Sequence, residues 1–356
     1  MLKWLLIFVP ITALLEYVVH PGDAVLFTVA ALSIVPLAAF MGQATENLST
    51  RTGPTIGGLL NATFGNATEL IIAFFALRAG KIEVVKASIT GSMIGNMLLV
   101  LGLALFLGGL RYQKQTFNKD MAGALASLLL IVMIAFLVPA LFDFTERVDG
   151  ISPDQTLISD EKFSLAASFV LIGLYLCNMI FSLVTHKDML SPAAEEHDAA
   201  AWSVPRALIT LLGSTLVVAW LSEVLVGSLE GFSKGIGLSE VFAGLIIIPI
   251  IGNAAEHSAS VFAVKNKLDL SIQIALGATI QIALLVAPLL VIASFLIGKP
   301  MDLVIHRPLE LAGLVGATLI TASVARDGES NWLEGAMLLG IYLLLALAFF
   351  YLPVAG

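Results

Sequence analysis

Long apolar stretches, broken by short polar, glycine and proline clusters, run from Trp4 to Leu352. A membrane-crossing helix needs about 20 predominantly apolar residues. The pattern predicts eleven such helices, at 4–19, 24–45, 54–79, 84–109, 119–141, 162–185, 204–229, 239–264, 269–297, 306–325 and 331–352. None of these runs shows the short alternating segments of a membrane β-barrel. The first run follows Lys3 in the manner of a secretory leader, but His20-Pro21-Gly22-Asp23 offers no small-residue cleavage pattern. It is therefore read as a retained span.

Composition agrees with a membrane protein. The 356 residues are 58% hydrophobic and 12% charged, with a mean hydropathy of +0.98, whereas a soluble domain carries about 25% charged residues. Eleven spans leave little chain for a soluble domain. A net charge of −8, from 18 basic and 26 acidic residues, argues against nucleic acid as a partner and suits a cationic substrate. The lone Cys177 excludes an intramolecular disulfide or a multi-cysteine metal centre and is read as a small core residue. Ten basic residues fall on the amino-terminal side of the spans and eight on the other, a small excess that favours a cytoplasmic amino terminus. The cluster Arg78, Lys81 and Lys86 is the contrary signal. Six acids between Asp143 and Glu161 are expected to keep a surface loop solvated, or to form an outer vestibule that attracts cations.

The strongest signal is a self-match. Gly65-Asn66-Ala67-Thr68-Glu69 in the third run recurs as Gly252-Asn253-Ala254-Ala255-Glu256 in the eighth, 187 residues later. At the same offset Gly57 meets Gly244, Phe75 meets Phe262, Ala76 meets Ala263 and Arg78 meets Lys265. Gly91-Ser92-Met93-Ile94-Gly95 then matches Gly277-Ala278-Thr279-Ile280-Gln281 at an offset of 186. Five spans separate the copies, so the two halves enter the membrane in opposite directions. The expected fold is an all-α polytopic membrane protein with one accessory helix (1–22), a five-helix repeat (23–186), a linker (187–203) and an inverted second repeat (204–356). Inverted repeats serve alternating access in secondary transporters, with the substrate at the midplane.

A carboxylate in mid-membrane is expensive and functional by default, which singles out Glu69 and Glu256. Helical spacing puts Asn66 and Asn253 on the faces of their glutamates. Gly65 and Gly252 permit a break or a close approach. Two carboxylates, two amide oxygens and freed carbonyls suit the six to eight oxygens that Ca2+ prefers, whereas zinc asks for Cys and His. One divalent cation or two protons would neutralise the pair, and an empty, doubly negative site would be costly to occlude. Competition between Ca2+ and protons for Glu69 and Glu256 follows. His257 relays protons or tunes Glu256, or packs as a hydrogen-bonded core histidine; both readings stand. Gln281 is the foremost second-helix candidate to line the site, with Ser92, Asn96 and Thr279 as further cavity residues and interhelical hydrogen bonding as the alternative. Glu46 and Glu230, near the ends of the second and seventh runs, are accessory acids that guide ions or simply solvated helix ends. The glycosylation pattern at Asn61 and Asn66 falls inside a span and is set aside. There is no phosphate-binding Walker loop for ATP-driven pumping and no His-Glu-x-x-His for a metalloprotease, so an enzyme is not expected.

Taken as a set, the duplicated Gly-Asn-Ala-x-Glu, His257 after the second copy, Gly-Ser-Met-Ile-Gly-Asn at 91–96 and Gly-Ala-Thr-Ile-Gln at 277–281 resemble the cation/proton exchanger family of the calcium/cation antiporter superfamily. The resemblance covers essentially the whole chain. It implies Ca2+/H+ antiport, with Glu69 and Glu256 binding cation and protons in turn and Glu46 and Glu230 as accessory acids. The superfamily's sodium/calcium branch usually has Pro before its site glutamates and a carboxylate in one second helix. Thr68 and Ala255 stand before the glutamates here, which favours proton coupling. Transport of another divalent ion such as Mn2+, or coupling to Na+ or K+, is the alternative. The family's acidic segment between the halves is reduced to Ala194-Glu195-Glu196-His197-Asp198, read as a plain linker within 193–201 rather than a calcium sensor. The expected setting is a prokaryotic plasma membrane, with Ca2+ as substrate and no cofactor. The oligomeric state, a homo-oligomer included, stays open.

Overall fold

The computed structural model describes residues 3–186, 202–254, 256, 257, 260 and 268–352. The segment Ala194–Asp198 and the repeat partners Phe262, Ala263 and Lys265 lie outside the described residues. The chain is almost entirely helical: α1 (Phe8–Leu14), flanked by the turns Lys3–Ile7 and Leu15–Val19; α2 (Asp23–Phe64); α3 (Ala67–Arg78); α4 (Ile82–Gly109); α5 (Lys119–Val148); α6 (Pro153–Thr185); α7 (Val204–Ile236); α8 (Glu240–Gly252); α9 (Leu268–Leu296); α10 (Pro308–Arg326); and α11 (Trp332–Tyr351). Local chemistry sets their ends. Asn118 caps α5 by accepting from the Asp120 and Met121 amides, and Asn331 caps α11 in the same way. Pro153, Pro205 and Pro308 open α6, α7 and α10, where their missing N–H is not needed. Gly237, at φ +72°, terminates α7.

Among the described residues, eight helices are long and apolar enough to cross a membrane. The other three predicted spans are shorter or broken. The first is cut into three registers, and the third and eighth break at the repeated motif. The predicted gap between the second and third runs contains no non-helical residue, so α2 is continuous over 42 residues. It is nevertheless not straight. The Ser49 hydroxyl donates to the Gly57 carbonyl at 2.8 Å, although eight residues of straight helix span about 12 Å. The chain doubles back there, and Gly57 lies against the Ser49 backbone.

Two expectations are corrected. The acidic stretch 143–161 is a tight helical hairpin instead of a loop: Asp143 and Glu146 close α5, Asp154, Asp160 and Glu161 open α6, and only residues 149–152 turn between them. A cluster of acids reads as a loop by composition, yet five of the six sit in the last turns of α5 or the first turns of α6, with Asp149 alone in the turn between them. Cys177 is exposed on the outer face of α6, not in the core. α6 is apolar on most of its surface, and a lipid-facing side is as apolar as a core, so hydropathy does not separate the two.

Among the described residues the apolar interior has two main parts and a small third around Ala87, Leu245 and Phe349. The larger joins α4, α5, α9 and α10 through Met97, Leu101, Leu129, Leu276, Leu290 and Leu314. The smaller joins α2 and α7 through Phe27, Ile34, Met41, Leu221, Leu225 and Leu229. The motif helices lie between them, since α3 gives Ala73 and Leu77 to the first part and Ile72 to the second, while α8 gives Ile251 to the second.

Each face of the bundle is tied across the repeats. On the amino-terminal side a two-residue ladder pairs β1 (Gln115–Thr116) with β2 (Glu329–Ser330), Lys114 pairs with Glu329, and the Asn118 amide donates to Asp269 at 2.6 Å. On the opposite face Lys81 meets Glu240 at 2.8 Å, the Lys299 ammonium donates to the Arg78 carbonyl at 2.6 Å, and Lys86 pairs with Asp302 at 2.9 Å with both residues buried.

Candidate functional site

The repeated motif breaks its helix in both copies at the asparagine. Asn66 has φ −100° and ψ 23°, and Asn253 has φ −89° and ψ 6°, while Gly65 keeps helical angles at φ −55° and ψ −49°. The glycines serve close approach instead. A β-carbon on Gly65 would lie 3.7 Å from Glu256 Oε1 and from Gln281 Oε1, and 2.7 Å from the Asn61 carbonyl oxygen. One on Gly252 would lie 3.4 Å from Glu69 Cγ and 3.5 Å from Glu69 Oε1. Each carboxylate thus rests beside the glycine of the other repeat.

The amides cross over in the same way. Asn66 donates through Nδ2 to Gln281 Oε1 at 2.6 Å, and Asn253 donates to Ser92 Oγ at 3.1 Å and to the Pro249 carbonyl at 3.0 Å. Ser92 and Gln281 occupy places one helical turn apart in the repeat register, so the crossed pairs are related but not identical. Both second helices carry a π turn directly after these residues, at Gly95–Val100 in α4 and Ile282–Val286 in α9, positions that correspond at the offset of 186. Single π turns inside α-helices mark functional positions.

The polar atoms left over are mostly acceptors. Both carboxylate oxygens of Glu69, Oε2 of Glu256, and the side-chain carbonyls of Asn66 and Asn253 are buried without a hydrogen-bond partner, although buried polar atoms are normally paired. Glu69 is 8% exposed, and Glu256 and His257 are half-buried. His257 Nε2 is likewise unpartnered. Two carboxylates with amide oxygens around them form a hard, oxygen-rich site of the kind that takes calcium-sized cations. Among the described residues no third acid or histidine joins them closely enough to complete a side-chain metal cluster, so amide and backbone oxygens or water would supply the remaining ligands.

The other sequence candidates separate. Asn96 is buried with its Nδ2 unpartnered. Thr279 gives its hydroxyl to the Ala275 carbonyl at 2.9 Å within its own helix. Glu230 is exposed and held by Lys234 at 2.7 Å and by Lys81 at 3.8 Å, and Glu46 is exposed on α2. The buried Lys86–Asp302 pair was missed. Its partners lie 216 residues apart, and only the charge of Lys86 about one turn into α4 hinted at it.

The sequence model of the sodium/calcium exchanger protein family matches residues 23–184 and 206–351. The chain belongs to this family. Within it, the chain is 47% identical to a Ca2+/H+ antiporter of Aphanothece halophytica, over 98% of this chain and 96% of that protein. It is 45% identical to the Ca2+/H+ antiporter ChaA of Bacillus subtilis, over 94% of both. The solved structure of native YfkE superposes with a TM-score of 0.84 at 40% identity, covering 99% of this chain and all of that one. These relatives set the chain in the cation/proton exchanger branch of the family.

Proposed function

We propose that this exchanger moves Ca2+ out of the cell in return for protons, with Glu69 and Glu256 holding the cation and the protons alternately. The observation that carries the reading is the reciprocal packing, in which each glutamate lies beside the glycine of the other repeat while their oxygens and those of Asn66 and Asn253 lack donors. The names of its relatives, at 45% and 47% identity, support the same pair of ions. Loaded with one Ca2+ or with two protons, the pair is neutral; bare, it repels itself in a poorly solvated place. Only the loaded forms then cross readily, which makes the two flows obligatory partners.

Alternating access is supported by an asymmetry between repeat mates. Gly244 packs on Ala87 and Val84 of the other repeat, and Gly91 packs on the Leu245 backbone, whereas Gly57, the mate of Gly244, packs on Ser49 in its own hairpin. The half of the motif helices toward the face opposite the amino terminus is closed between repeats. Their other half opens toward the amino-terminal side, where Asn61 and Thr63 are exposed. With a cytoplasmic amino terminus, as the basic-residue balance suggests, this is an inward-open arrangement.

The test is calcium uptake by liposomes containing the protein, with an acid interior imposed and with sodium present or absent. Uptake driven by the proton gradient without sodium is expected. Uptake that requires a sodium gradient and ignores pH would overturn proton coupling, and dissipation without accumulation would make the protein a channel.

A further inference from the structure

The turn between α3 and α4, residues 79–81, forms the tip of the first repeat's motif hairpin on the face opposite the amino terminus, and its backbone is closely held. Gly80 takes φ +80°, a left-handed angle that lets the Gly80 and Lys81 amides return to the Leu77 and Ala76 carbonyls, each at 2.9 Å. The Lys81 side chain therefore leaves from a fixed base. It reaches the second repeat at two places: Glu240 in the first turn of α8 at 2.8 Å, and Glu230 near the end of α7 at 3.8 Å. Lys299, from the loop after α9, holds the same turn through the Arg78 carbonyl at 2.6 Å.

A fully exposed ion pair stabilises little. The Lys81–Glu240 pair is partly sheltered, with side chains 20% and 29% exposed, and Glu230 adds a second carboxylate to the same ammonium. Its position matters more than its strength. Glu240 stands one turn before Gly244, and Lys81 three residues before Val84. The pair thus spans the contact between α8 and α4 in which a β-carbon on Gly244 would lie 3.0 Å from Ala87 Cβ and 3.1 Å from the Val84 carbonyl oxygen. That contact seals the closed face. A state open on that face must part α8 from α4 and draw the ammonium away from its carboxylates.

The pseudo-symmetry supplies no matching acid on the other side. At the offset of 187 that pairs Gly244 with Gly57, Glu240 falls on Gly53, which has no charge to offer. An ionic contact made at one face and lacking its counterpart at the other biases the balance between the two access states. We infer that Lys81 is a positioning residue for the exchange cycle: an ionic clamp from Lys81 to Glu240, seconded by Glu230, holds the face opposite the amino terminus shut and favours the state open toward the amino-terminal side. The inference rests on the alternating-access reading above but not on which ions the central glutamates carry. It also gives Glu230 a part in closing the face, where the sequence suggested an ion guide or a solvated helix end.

The test places a cysteine at Val84, which is buried against Gly244, in a Cys177→Ala background, since Cys177 is exposed. Its labelling by a membrane-impermeant maleimide is followed in the full-length protein. Lys81→Gln should speed labelling about 3- to 10-fold. Glu240→Gln should do the same, and it carries the test if Lys81→Gln fails to fold. Lys81→Glu combined with Glu240→Lys should return labelling toward the parent rate. In oriented vesicles the half-saturating Ca2+ at the face opposite the amino terminus should fall by the same factor, with no fall at the amino-terminal face, a split that a loss of stability alone does not produce. Gly91→Val, which disturbs the seal at the Leu245 backbone, separates the two readings. Labelling accelerated by Gly91→Val but by neither Lys81→Gln nor Glu240→Gln overturns the clamp and leaves alternating access standing; labelling that none of the three changes overturns both. Acceleration that the reversed pair does not rescue would reduce Lys81 to a packing residue and overturn the clamp as well.

Discussion

The two copies of the motif are nearly the same in sequence and unlike in surroundings. After the break, Glu69 lies in the first turn of α3, where seven of twelve residues are buried and both its carboxylate oxygens are enclosed. Glu256 lies where its helix heads for the amino-terminal side, half-buried and followed by His257. Gly244 is locked against α4, while Gly57 turns inward on its own hairpin. The motif is thus close to symmetric in sequence, while the packing around its two copies is not.

The largest test of this comparison is to remove one charge at a time. Glu69→Gln and Glu256→Gln should each reduce calcium uptake to the level of empty liposomes while the protein still purifies as a folded species by circular dichroism. Residual exchange in only one variant would show that the copies are not functionally equivalent. Next in size is pH. If Ca2+ displaces a proton from each glutamate, the affinity measured by isothermal titration should rise about 100-fold per pH unit over the range where both are protonated, and about 10-fold in either single variant. The direction is fixed: higher pH tightens calcium binding.

A smaller effect is expected from the glycines that mark the closed side. Gly91→Val forces a side chain into the Leu245 backbone, an overpacking penalty of about 1–3 kcal/mol that falls only on the state closed at that face. Thiol labelling of a cysteine placed at Val84 should then accelerate about tenfold. Gly57→Val should leave that labelling unchanged and lower the thermal stability of the hairpin. Equal labelling in the two variants would erase the asymmetry. The smallest effect belongs to the crossed amides. Asn66→Ala should weaken calcium binding about 5- to 15-fold, from the loss of one oxygen ligand and a buried hydrogen bond of about 1–1.5 kcal/mol. A double-mutant cycle with Gln281→Ala should give a coupling of about 0.5–3 kcal/mol, whereas Asn66→Ala with Ser92→Ala should be nearly additive.

Much of this was legible from residues alone. Hydropathy located the helices because lipid demands long apolar runs, and the duplicated Gly-Asn-Ala-x-Glu identified the site because a mid-membrane carboxylate has few structural uses. The sequence left Gly65 and Gly252 as places for a break or a close approach; the close approach holds, while the backbone departs from the helix one residue later, at Asn66 and Asn253. Glycine's freedom made it the natural candidate, yet the asparagine amide, which bonds across to the other repeat, holds the off-helix angles. The crossing of Asn66 to Gln281 and of Asn253 to Ser92 was out of reach, because a repeat in sequence does not state whether its copies pack within themselves or onto each other. The 143–161 hairpin was misread for a different reason. Six acids suggest solvent, and nothing local reveals that Asp143 and Asp160 are buried at the helix ends.

The reciprocal seating of the glutamates bears on how such a chain arose. Contacts in which position i of one half touches j of the other, and j of the first touches i of the second, are the signature of an isologous two-fold interface. A single gene encoding one half, inserted in the bilayer in both directions, would already have brought Gly65-like and Glu256-like positions together in an antiparallel dimer. His257, which has Leu70 at the matching place of the first copy, marks where the two copies differ. The same reciprocity implies that neither half is a working unit by itself: alone, each would present a glycine with no glutamate to seat and a glutamate with no glycine beneath it.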